Sequence, residues 1–285
     1  MTSHVLQSEW ERLRPAVFGV AYRLLGSVAD AEDVAQDVWL KASAADLSDV
    51  ADLRAWLVTV AARTSYNVLN SARVRREDYV GPWLPEPLLT GPDAAQPVLV
   101  DESISVAMLL VMEELTPPER VAFVLHDVFS FPFDGIAEVL GNTPAASRKL
   151  ASRARARIAK VKELPKASRS EVGRVLDAFK AAAQAGDMGA LIALLHPDAV
   201  YVADGGGRVS AARVLVRGAE RVALLTLAVT RRAGPDVMRV IEVNGEPALA
   251  TYREGTLLWV DTVELAGGRV TALRRVANPE KLGHI

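Results

Sequence analysis

Between residues 5 and 75 the apolar side chains recur every three or four positions, the spacing that places them on one side of a helix. A first stripe ends at the break Gly26-Ser27, a second passes through Ala31 and Val38, and a third begins at Leu53. The pattern therefore predicts that this part of the chain is helical.

Turn-forming residues concentrate between Tyr79 and Pro97, where seven positions are proline or glycine. Proline fixes φ and removes a backbone donor, so it does not fit the interior of a helix or a central strand. We predict an extended linker here rather than a packed element.

The helical spacing resumes at Ser103 and continues to Lys162, interrupted by proline-containing breaks. Beyond Pro165, two further helical stretches are expected over Ser170–Gln184 and Asp187–Leu195. The chain up to residue 163 is therefore predicted to be all-α.

The last part of the chain has a different periodicity. Apolar and polar residues alternate along Leu257–Leu265 and Val270–Val276, with Gly267-Gly268 between them, which predicts a β-hairpin. We therefore predict a multidomain protein whose two helical domains precede an α+β domain. The expected boundaries are 1–78, a linker over 79–102, a second helical domain over 103–163, and the α+β domain over 168–285.

Composition narrows the function classes. The 285 residues include no cysteine and four histidines, which lack the spacing of a zinc site. No apolar run approaches the ~20 residues that a membrane helix needs, and Glu9 and Trp10 interrupt the start of the chain where a signal peptide would be apolar. We expect a cytoplasmic protein without a metal, cofactor or membrane partner. The net charge of −2 argues against a nucleic-acid partner.

Charge is unevenly distributed, however. Seven basic residues and no acidic residue lie between Arg148 and Lys162. A short amphipathic segment, Phe133–Leu140, and a turn, Gly141–Pro144, precede them, and Leu150, Ala154, Ile158 and Val161 form the apolar stripe. Two helices joined by a glycine-containing turn are typical of a helix-turn-helix, whose second helix reads the major groove. We favour DNA binding over the alternative, a solvated basic face.

Two other polar faces are ambiguous from the residues alone. Asp33 and Asp37 lie one helical turn apart near Asp30 and Glu32, and this group fits either an ordinary soluble surface, which is favoured, or a docking face for a basic protein. The third helix carries Arg63, Tyr66, Asn67 and Asn70 on one side, followed by Arg73. Such side chains suit single-stranded or melted DNA, but the signal is weak.

Several strings make the chain recognisable. Asp30–Leu40, Leu53–Leu57 and the series from Leu115 to Arg155 resemble regions 2 and 4 of extracytoplasmic-function (ECF) RNA polymerase sigma factors, over about residues 5–162. Trp83–Pro87 (WLPEP), Asp204–Gly207 and Asn278–Leu282 resemble the group that carries a fused SnoaL-like (NTF2-like) C-terminal domain.

This resemblance implies partners and roles. The partners would be promoter DNA and the RNA polymerase core, contacted through the β′ clamp helices and the β flap. Core binding would fall on Asp33, Gln36, Asp37 and Leu40. Recognition of the −10 element would fall on Arg63, Tyr66, Asn67, Asn70 and Arg73. Recognition of the −35 element would fall on Ala145, Ala146, Arg148, Lys149, Ser152 and Arg153.

The resemblance also implies that the C-terminal domain regulates the sigma domains in cis. The interface would comprise Trp83, Leu84, Pro85, Glu86, Pro87, Asp204, Gly205, Gly206, Gly207, Arg208, Asn278, Pro279, Glu280, Lys281 and Leu282. Three positions depart from the usual family pattern: Asn67 and Glu280 each replace an aspartate, and Arg208 replaces a lysine.

A cone-shaped domain with a cavity can also be an enzyme or a ligand sensor, so the fold alone does not assign a role. Polar candidates include His196, Tyr201, Asp204, Tyr252 and Asp261, with Trp259 as an aromatic wall. His196 sits in a helix-ending turn and more plausibly caps than catalyses, and no P-loop spacing follows the glycines. We therefore expect no enzyme. The alternatives are an NTF2-like enzyme or small-molecule sensor tethered to a DNA-binding module, and a DNA-binding regulator that acts without polymerase.

Overall fold

The computed structural model describes residues 3–77, 79–91, 102–162, 167–233 and 237–285. The chain forms two compact units. The first comprises Met1–Glu77 and Ala95–Glu163, and the second comprises Asp78–Ala94 and Leu164–Ile285. The segment between the two helical domains thus belongs largely to the C-terminal unit.

The first unit begins with three helices, α1 (Ser3–Leu25), α2 (Val28–Ala44) and α3 (Leu53–Glu77). The break between α1 and α2 has a local cause: Gly26 has a positive φ of 66°, and the Ser27 hydroxyl caps α2 by accepting from the Asp30 amide. The predicted apolar stripes are buried between the helices, including Val17, Val20, Ala31, Val34, Val38 and Leu57.

A 3-10 turn (Glu102–Ile104) leads into α4 (Val106–Glu113), α5 (Pro117–Phe123), a π turn (Val124–Val128), α6 (Phe133–Leu140) and α7 (Pro144–Lys162). Two buried arginines fasten these helices to α1. Arg23 Nε donates to Ser103 Oγ at 2.6 Å, and Arg120 Nη1 donates to the Leu24 carbonyl at 2.9 Å. The two helical domains therefore pack together within one unit.

The second unit contains α8 (Arg169–Ala185), α9 (Met188–Leu194), β1 (Leu195–Asp204), β2 (Val216–Arg217), α10 (Ala219–Ala233), β3 (Val237–Val243), β4 (Glu246–Arg253), β5 (Thr256–Ala266), β6 (Arg269–Val276) and a 3-10 turn (Pro279–Lys281). The sheet order is β2-β1-β6-β5-β4-β3, with β1 and β6 parallel and the other pairs antiparallel. The helices pack on one face of the sheet, where Phe179, Val222, Tyr201, Leu249 and Leu273 share a core.

The predicted architecture, two helical domains followed by an α+β domain, is confirmed. The predicted hairpin at Gly267-Gly268 joins β5 to β6. Within the described residues, no helix is both long and apolar enough to span a membrane.

Two expectations need correction. The segment from Tyr79 to Gly91 is extended, but it is also packed, since Leu84–Leu88 are buried in the second unit. The buried face of α7 comprises Ser147, Ala151, Ala154 and Ile158 rather than a stripe through Leu150, which is partly exposed; the predicted member Val161 has a side chain outside the described residues. The buried Ser147 hydroxyl has a partner, since it donates to Asn142 Oδ1 at 2.7 Å.

Candidate nucleic-acid interface and linker latch

The helix-turn-helix is built by short-range capping. Gly141 ends α6 with a φ of 64°, a left-handed conformation that glycine adopts without strain. Thr143 Oγ1 accepts from the Ala146 amide at 3.2 Å and so caps α7. Ala145, Arg148, Lys149, Ser152 and Arg153 are exposed on α7, and Ala146 is partly exposed. The residues assigned to the −35 element therefore share one accessible face.

The basic residues of α7 divide into two groups. Arg155 and Arg157 form ion pairs with Asp127 at 2.7 Å and Glu119 at 2.9 Å, respectively. By contrast, Arg148, Lys149 and Arg153 form no ion pair with another described residue, and the Arg148 guanidinium lies 5.5 Å from the centre of the Phe133 ring. The first group holds the helix in place, and the second is available to phosphates and base edges.

The polar face of α3 is also accessible in part. Arg63, Asn67 and Asn70 are exposed and Tyr66 is partly exposed. Arg63 Nη2 donates to the Glu138 carbonyl of α6 at 3.2 Å and lies 3.9 Å from the Glu138 carboxylate. The side chain of Arg73 lies outside the described residues.

On α2, the spacing of Asp33, Gln36, Asp37 and Leu40 places the four side chains on one helix face. Leu40 is 59% exposed, which is high for a large apolar side chain. Asp37 forms an ion pair with Lys41 at 2.7 Å, which partly neutralises the acidic face. The sequence analysis did not predict this pair. A single exposed leucine beside carboxylates fits either a docking face or an ordinary soluble surface.

The second unit contains a cluster that we call the linker latch: Tyr79, Leu84, Asp204, Asn278 and Lys281. Asp204 is fully buried at its centre. Its Oδ1 accepts from Tyr79 Oη at 2.6 Å and from the Gly206 amide at 3.1 Å. Its Oδ2 accepts from the Leu84 amide at 2.8 Å and from Lys281 Nζ at 2.8 Å.

Lys281 closes the latch from the C-terminal side. Its Nζ also donates to the Leu84 carbonyl at 2.6 Å and lies 4.3 Å from the centre of the Trp83 ring, a cation–π distance. Asn278 Nδ2 donates to Tyr79 Oη at 3.0 Å. Burial, together with the adjacent Asp204 carboxylate, raises the pKa of Tyr79, so its hydroxyl stays protonated and keeps donating.

The glycines after Asp204 leave room for the latch. Gly206 has a φ of 58°, and a Cβ there would lie 2.3 Å from Asn278 Nδ2. A Cβ at Gly207 would press on Val80 at 3.1 Å. Two of the family departures meet beside them, because Arg208 pairs with Glu280 at 2.6 Å, although both side chains are exposed. The two altered residues therefore still form one complementary contact.

A second set of contacts holds the rest of the linker. The Leu88 amide donates to Asn244 Oδ1 at 3.1 Å, and the Asn244 amide donates to the Leu88 carbonyl at 2.8 Å. The Gly245 amide donates to Thr90 Oγ1 at 2.8 Å, and His284 Nε2–H donates to the Pro87 carbonyl at 2.7 Å. Sequence reasoning missed Tyr79, Thr90, Asn244 and His284, for which the chain offers only the turn signal Asn244-Gly245.

The other polar candidates of this domain do not form a catalytic constellation with His196. The His196 Nδ1 accepts from the nearby Asp198 amide at 3.2 Å, a local turn contact. Asp261 is bound by Arg275, and Asp204 belongs to the latch. Among the described residues no group of His, Asp or Glu side chains could hold a metal ion.

Comparison with known proteins gives the same division of the chain. Residues 10–75 match the family Sigma-70 region 2, and residues 105–158 match Sigma-70, region 4. The ECF RNA polymerase sigma factor SigJ of Mycobacterium tuberculosis is 42% identical over 96% of this chain and 92% of its own length. The probable ECF sigma factor SigI of the same species is 29% identical over 97% of this chain and 94% of its own.

Among solved structures, the crystal structure of M. tuberculosis SigJ matches with a TM-score of 0.78 and 39% identity, covering 97% of this chain and 98% of that one. The likeness thus includes the C-terminal domain as well as the two sigma regions. With both sigma regions in order and a full-length relative above 40% identity, the chain belongs to the ECF sigma factors, which direct transcription initiation by RNA polymerase.

Proposed function

We propose that the C-terminal domain controls this sigma factor by holding or releasing the segment that joins its two DNA-binding regions. The observation that carries the proposal is the buried Asp204, which binds Tyr79 and Leu84 of the linker and Lys281 of the C-terminal tail at once. A linker held at several points cannot adjust freely, so its release would change how regions 2 and 4 meet a promoter.

The free energy needed to open the latch is compatible with a reversible switch. Removing one partner of a buried ion pair costs roughly 3–5 kcal/mol, because the remaining charge is left uncompensated. The Asp204–Lys281 pair is in that class, since both side chains are buried. A cost of this size is within the free energy that binding to a large polymerase surface can supply.

We further propose the residue roles that the family resemblance implies. Asp33, Gln36, Asp37 and Leu40 would bind the β′ clamp helices, and region 4 would bind the β flap. The exposed face of α7 would read the −35 element in duplex form. Arg63, Tyr66, Asn67, Asn70 and Arg73 would read the melted −10 element, with the factor acting in the cytoplasm beside polymerase.

The contact between Arg63 and Glu138 adds a condition to this scheme. Because the Arg63 guanidinium donates to α6, its use on the −10 element requires that α3 and α6 separate at that point. The exposed acidic and basic faces also explain the net charge of −2: a near-neutral chain gains little non-specific affinity from phosphate neutralisation.

We propose a regulatory rather than a catalytic role for the C-terminal domain. A catalytic role would require the Asp204 carboxylate, but both of its oxygens accept hydrogen bonds from Tyr79, Leu84 and Lys281. Turnover of a small substrate that disappears in Asp204→Ala would contradict this.

The test is run-off transcription with purified core polymerase and the full chain or its variants. Asp204→Asn and Lys281→Met should each change promoter output in the same direction by at least tenfold, since a loss of roughly 3–5 kcal/mol in the latch shifts a closed–open equilibrium by more than a hundredfold. Asp198→Asn removes an exposed carboxylate of the same strand, β1, and serves as the matched control.

Truncations after Lys162 and after Val276 complete the series, since each removes Asn278 and Lys281. Output equal to that of the full chain in both latch variants and both truncations would refute cis control. Failure of every chain, including the full-length one, to direct initiation would instead refute the assigned promoter roles.

A further inference from the structure

A buried ion pair lies inside the C-terminal domain, apart from the latch residues. Arg275 Nε and Nη2 donate to Asp261 Oδ1 and Oδ2, both at 2.7 Å, in a two-pronged contact. The side chains are 4% and 2% exposed. The Arg275 guanidinium also lies 4.3 Å from the centre of the Trp259 ring.

Three polar atoms around this pair form no hydrogen bond of standard geometry with another described residue, although the buried Tyr201 hydroxyl lies near enough to the Arg275 guanidinium to help raise its pKa. They are Arg275 Nη1, Trp259 Nε1 and Thr251 Oγ1, each on a residue that is at least nine-tenths buried. Leaving such a donor unpaired in the interior costs about 1–3 kcal/mol. Three unpaired polar atoms close together are therefore a feature that needs a reason.

The sheet register places these atoms side by side. Asp261 of β5 is directly opposite Arg275 of β6, and Thr251 of β4 is directly opposite Trp259 of β5. Directly paired residues share a face of a sheet, as do residues two apart along a strand. All four side chains therefore lie on the face that α8 and α10 cover, next to the apolar Leu249 and Leu273.

The charges decide what these donors can bind. Burial alone would lower the pKa of Arg275, but the Asp261 carboxylate outweighs it and raises that pKa, so the guanidinium stays charged and the pair is neutral overall. An additional anion would be repelled by the Asp261 carboxylate. It would gain only the remaining N–H groups of an arginine whose charge is already neutralised. An uncharged acceptor oxygen carries no such cost.

We propose that this face binds a small, uncharged and largely apolar molecule through a carbonyl oxygen. Arg275 Nη1 and Trp259 Nε1 donate to the oxygen, and Thr251 Oγ1 completes the polar set. Leu249 and Leu273 contact the apolar remainder. Asp261 does not touch the ligand; it is a positioning residue that orients the guanidinium.

Packing and hydrogen bonds connect this site to the linker latch. Trp259 packs on Ala277, and the amides of Ala277 and Asn278 donate to the Asp204 carbonyl at 2.8 and 3.0 Å. Occupancy at Arg275 therefore bears on the residues that carry Asn278 and Lys281. This last step rests on the proposed function of the latch, whereas ligand binding itself does not.

The test is calorimetric titration of the full chain, without polymerase or DNA, against acetophenone and cyclohexanone. Ethylbenzene, which lacks the oxygen, and benzoate, which is anionic, are the comparison compounds. At least one ketone should bind, and its affinity should exceed that of ethylbenzene and of benzoate by about tenfold, the value of a hydrogen bond of ~1.4 kcal/mol.

Three substitutions locate the site. Thr251→Val removes one polar group and keeps the shape, so it should weaken ketone binding by about tenfold without lowering the melting temperature of the free chain. Trp259→Phe removes the indole N–H together with part of the buried ring, so it should weaken ketone binding by at least as much and should also lower the melting temperature. Thr226→Val is the matched control, because the Thr226 hydroxyl already donates to the Val222 carbonyl at 2.8 Å; it should leave the affinity unchanged.

Four results would overturn the proposal: no binding of either ketone, tighter binding of benzoate, equal affinities across the variants, or marked destabilisation of the free chain by Thr251→Val. The last would show that the hydroxyl serves the fold, for example through water. Because no transcription is involved, failure here leaves the linker latch untouched, and failure of the latch variants in transcription leaves the binding result valid.

Discussion

Single buried carboxylates connect distant parts of this chain. Asp204 does so in the C-terminal unit, and Glu119 does so in the helical unit. Glu119 Oε2 accepts from the Thr116 amide and hydroxyl at 3.0 and 2.8 Å, which forms a capping box at the start of α5. The same oxygen accepts from Arg157 Nη1 at 2.9 Å, which ties α7 to that cap.

Glu119→Gln should therefore destabilise the protein in a pH-dependent way. Burial alone would raise the pKa of Glu119, but the Thr116 hydrogen bonds and Arg157 outweigh it and lower that pKa. A lowered folded-state pKa stabilises above the unfolded pKa of ~4.3 and loses that contribution as the pH falls through the folded value. Denaturant unfolding at pH 7 should show a loss of about 1.5–3 kcal/mol, the range for a hydrogen bond to a charged group.

The difference between Glu119→Gln and the unsubstituted chain should shrink as the pH is lowered below 4. Glu114→Gln, at a neighbouring exposed position, should have little effect at either pH. A destabilisation of Glu119→Gln that is equal at both pH values would mean that packing rather than charge explains the loss.

Four of the five latch residues could be predicted from the sequence. Leu84, Asp204, Asn278 and Lys281 lie in strings that resemble the family, so the resemblance brought them together. Tyr79 lies outside those strings, and its partner is 125 positions away. A hydrogen bond between such distant residues leaves no periodicity in the sequence, and only the folded chain reveals it.

At the level of elements, two glycines with the same backbone conformation have different structural roles. Gly141 and Gly206 both have positive φ values, 64° and 58°. A Cβ at Gly141 would meet nothing within 4 Å, whereas a Cβ at Gly206 would overlap the Asn278 side chain. The first glycine only ends a helix; the second also admits a latch residue.

Substituting each glycine by alanine separates these roles. Gly141→Ala should cost about 1 kcal/mol, the conformational penalty alone, and should leave the latch intact. Gly206→Ala should have a similar conformational cost and should also displace the Asn278 side chain. Hydrogen exchange of the Leu84 amide, which donates to Asp204, should be faster in Gly206→Ala and unchanged in Gly141→Ala. Equal protection in the two variants would contradict the proposed role of the glycine loop.

Elements defined by local rules could be predicted from the sequence. The helix Phe133–Leu140 and the hairpin at Gly267-Gly268 follow from periodicity and turn chemistry, and the structure has them at those positions. The buried face of α7 was misplaced because Leu150 competes with Ser147 and Ala151, and the packing against α5 and α6 decides between them. The order of the six strands depends on long-range pairing, which no local pattern specifies.

At the scale of the whole molecule, the order of segments along the chain differs from their division into compact units. The linker is encoded between the two sigma regions, yet residues 79–91 pack with the C-terminal unit. The helical domain over 102–162 therefore lies between two stretches of chain that both belong to that unit. Cutting the second connection, at 163–166, would leave the held linker as a link between the fragments.

A protease site inserted at 163–166 tests this arrangement. After cleavage the fragments should co-elute in size-exclusion chromatography, because the buried contacts of Asp204 and Lys281 hold the linker. The same cleaved chain with Lys281→Met should dissociate at a concentration more than a hundredfold higher, since it loses roughly 3–5 kcal/mol while the contacts of Asn244 and His284 with the linker remain. Arg208→Gln, which removes an exposed ion pair, is the control and should still co-elute. An unchanged dissociation concentration for the cleaved Lys281→Met chain would mean that the latch does not contribute to joining the fragments.

The held linker also bears on promoter architecture. Between the end of α3 at Glu77 and the turn that starts at Glu102 there are 24 residues. With the latch closed, residues 79–91 keep one fixed end-to-end vector and do not adapt to the distance between the −10 and −35 elements. With the latch open, residues 79–91 are released, and a proline-rich segment of this length reaches up to about 40 Å at ~3.1 Å per residue. The latch would then decide how much variation in spacer length this factor tolerates, and with it how many promoters it recognises.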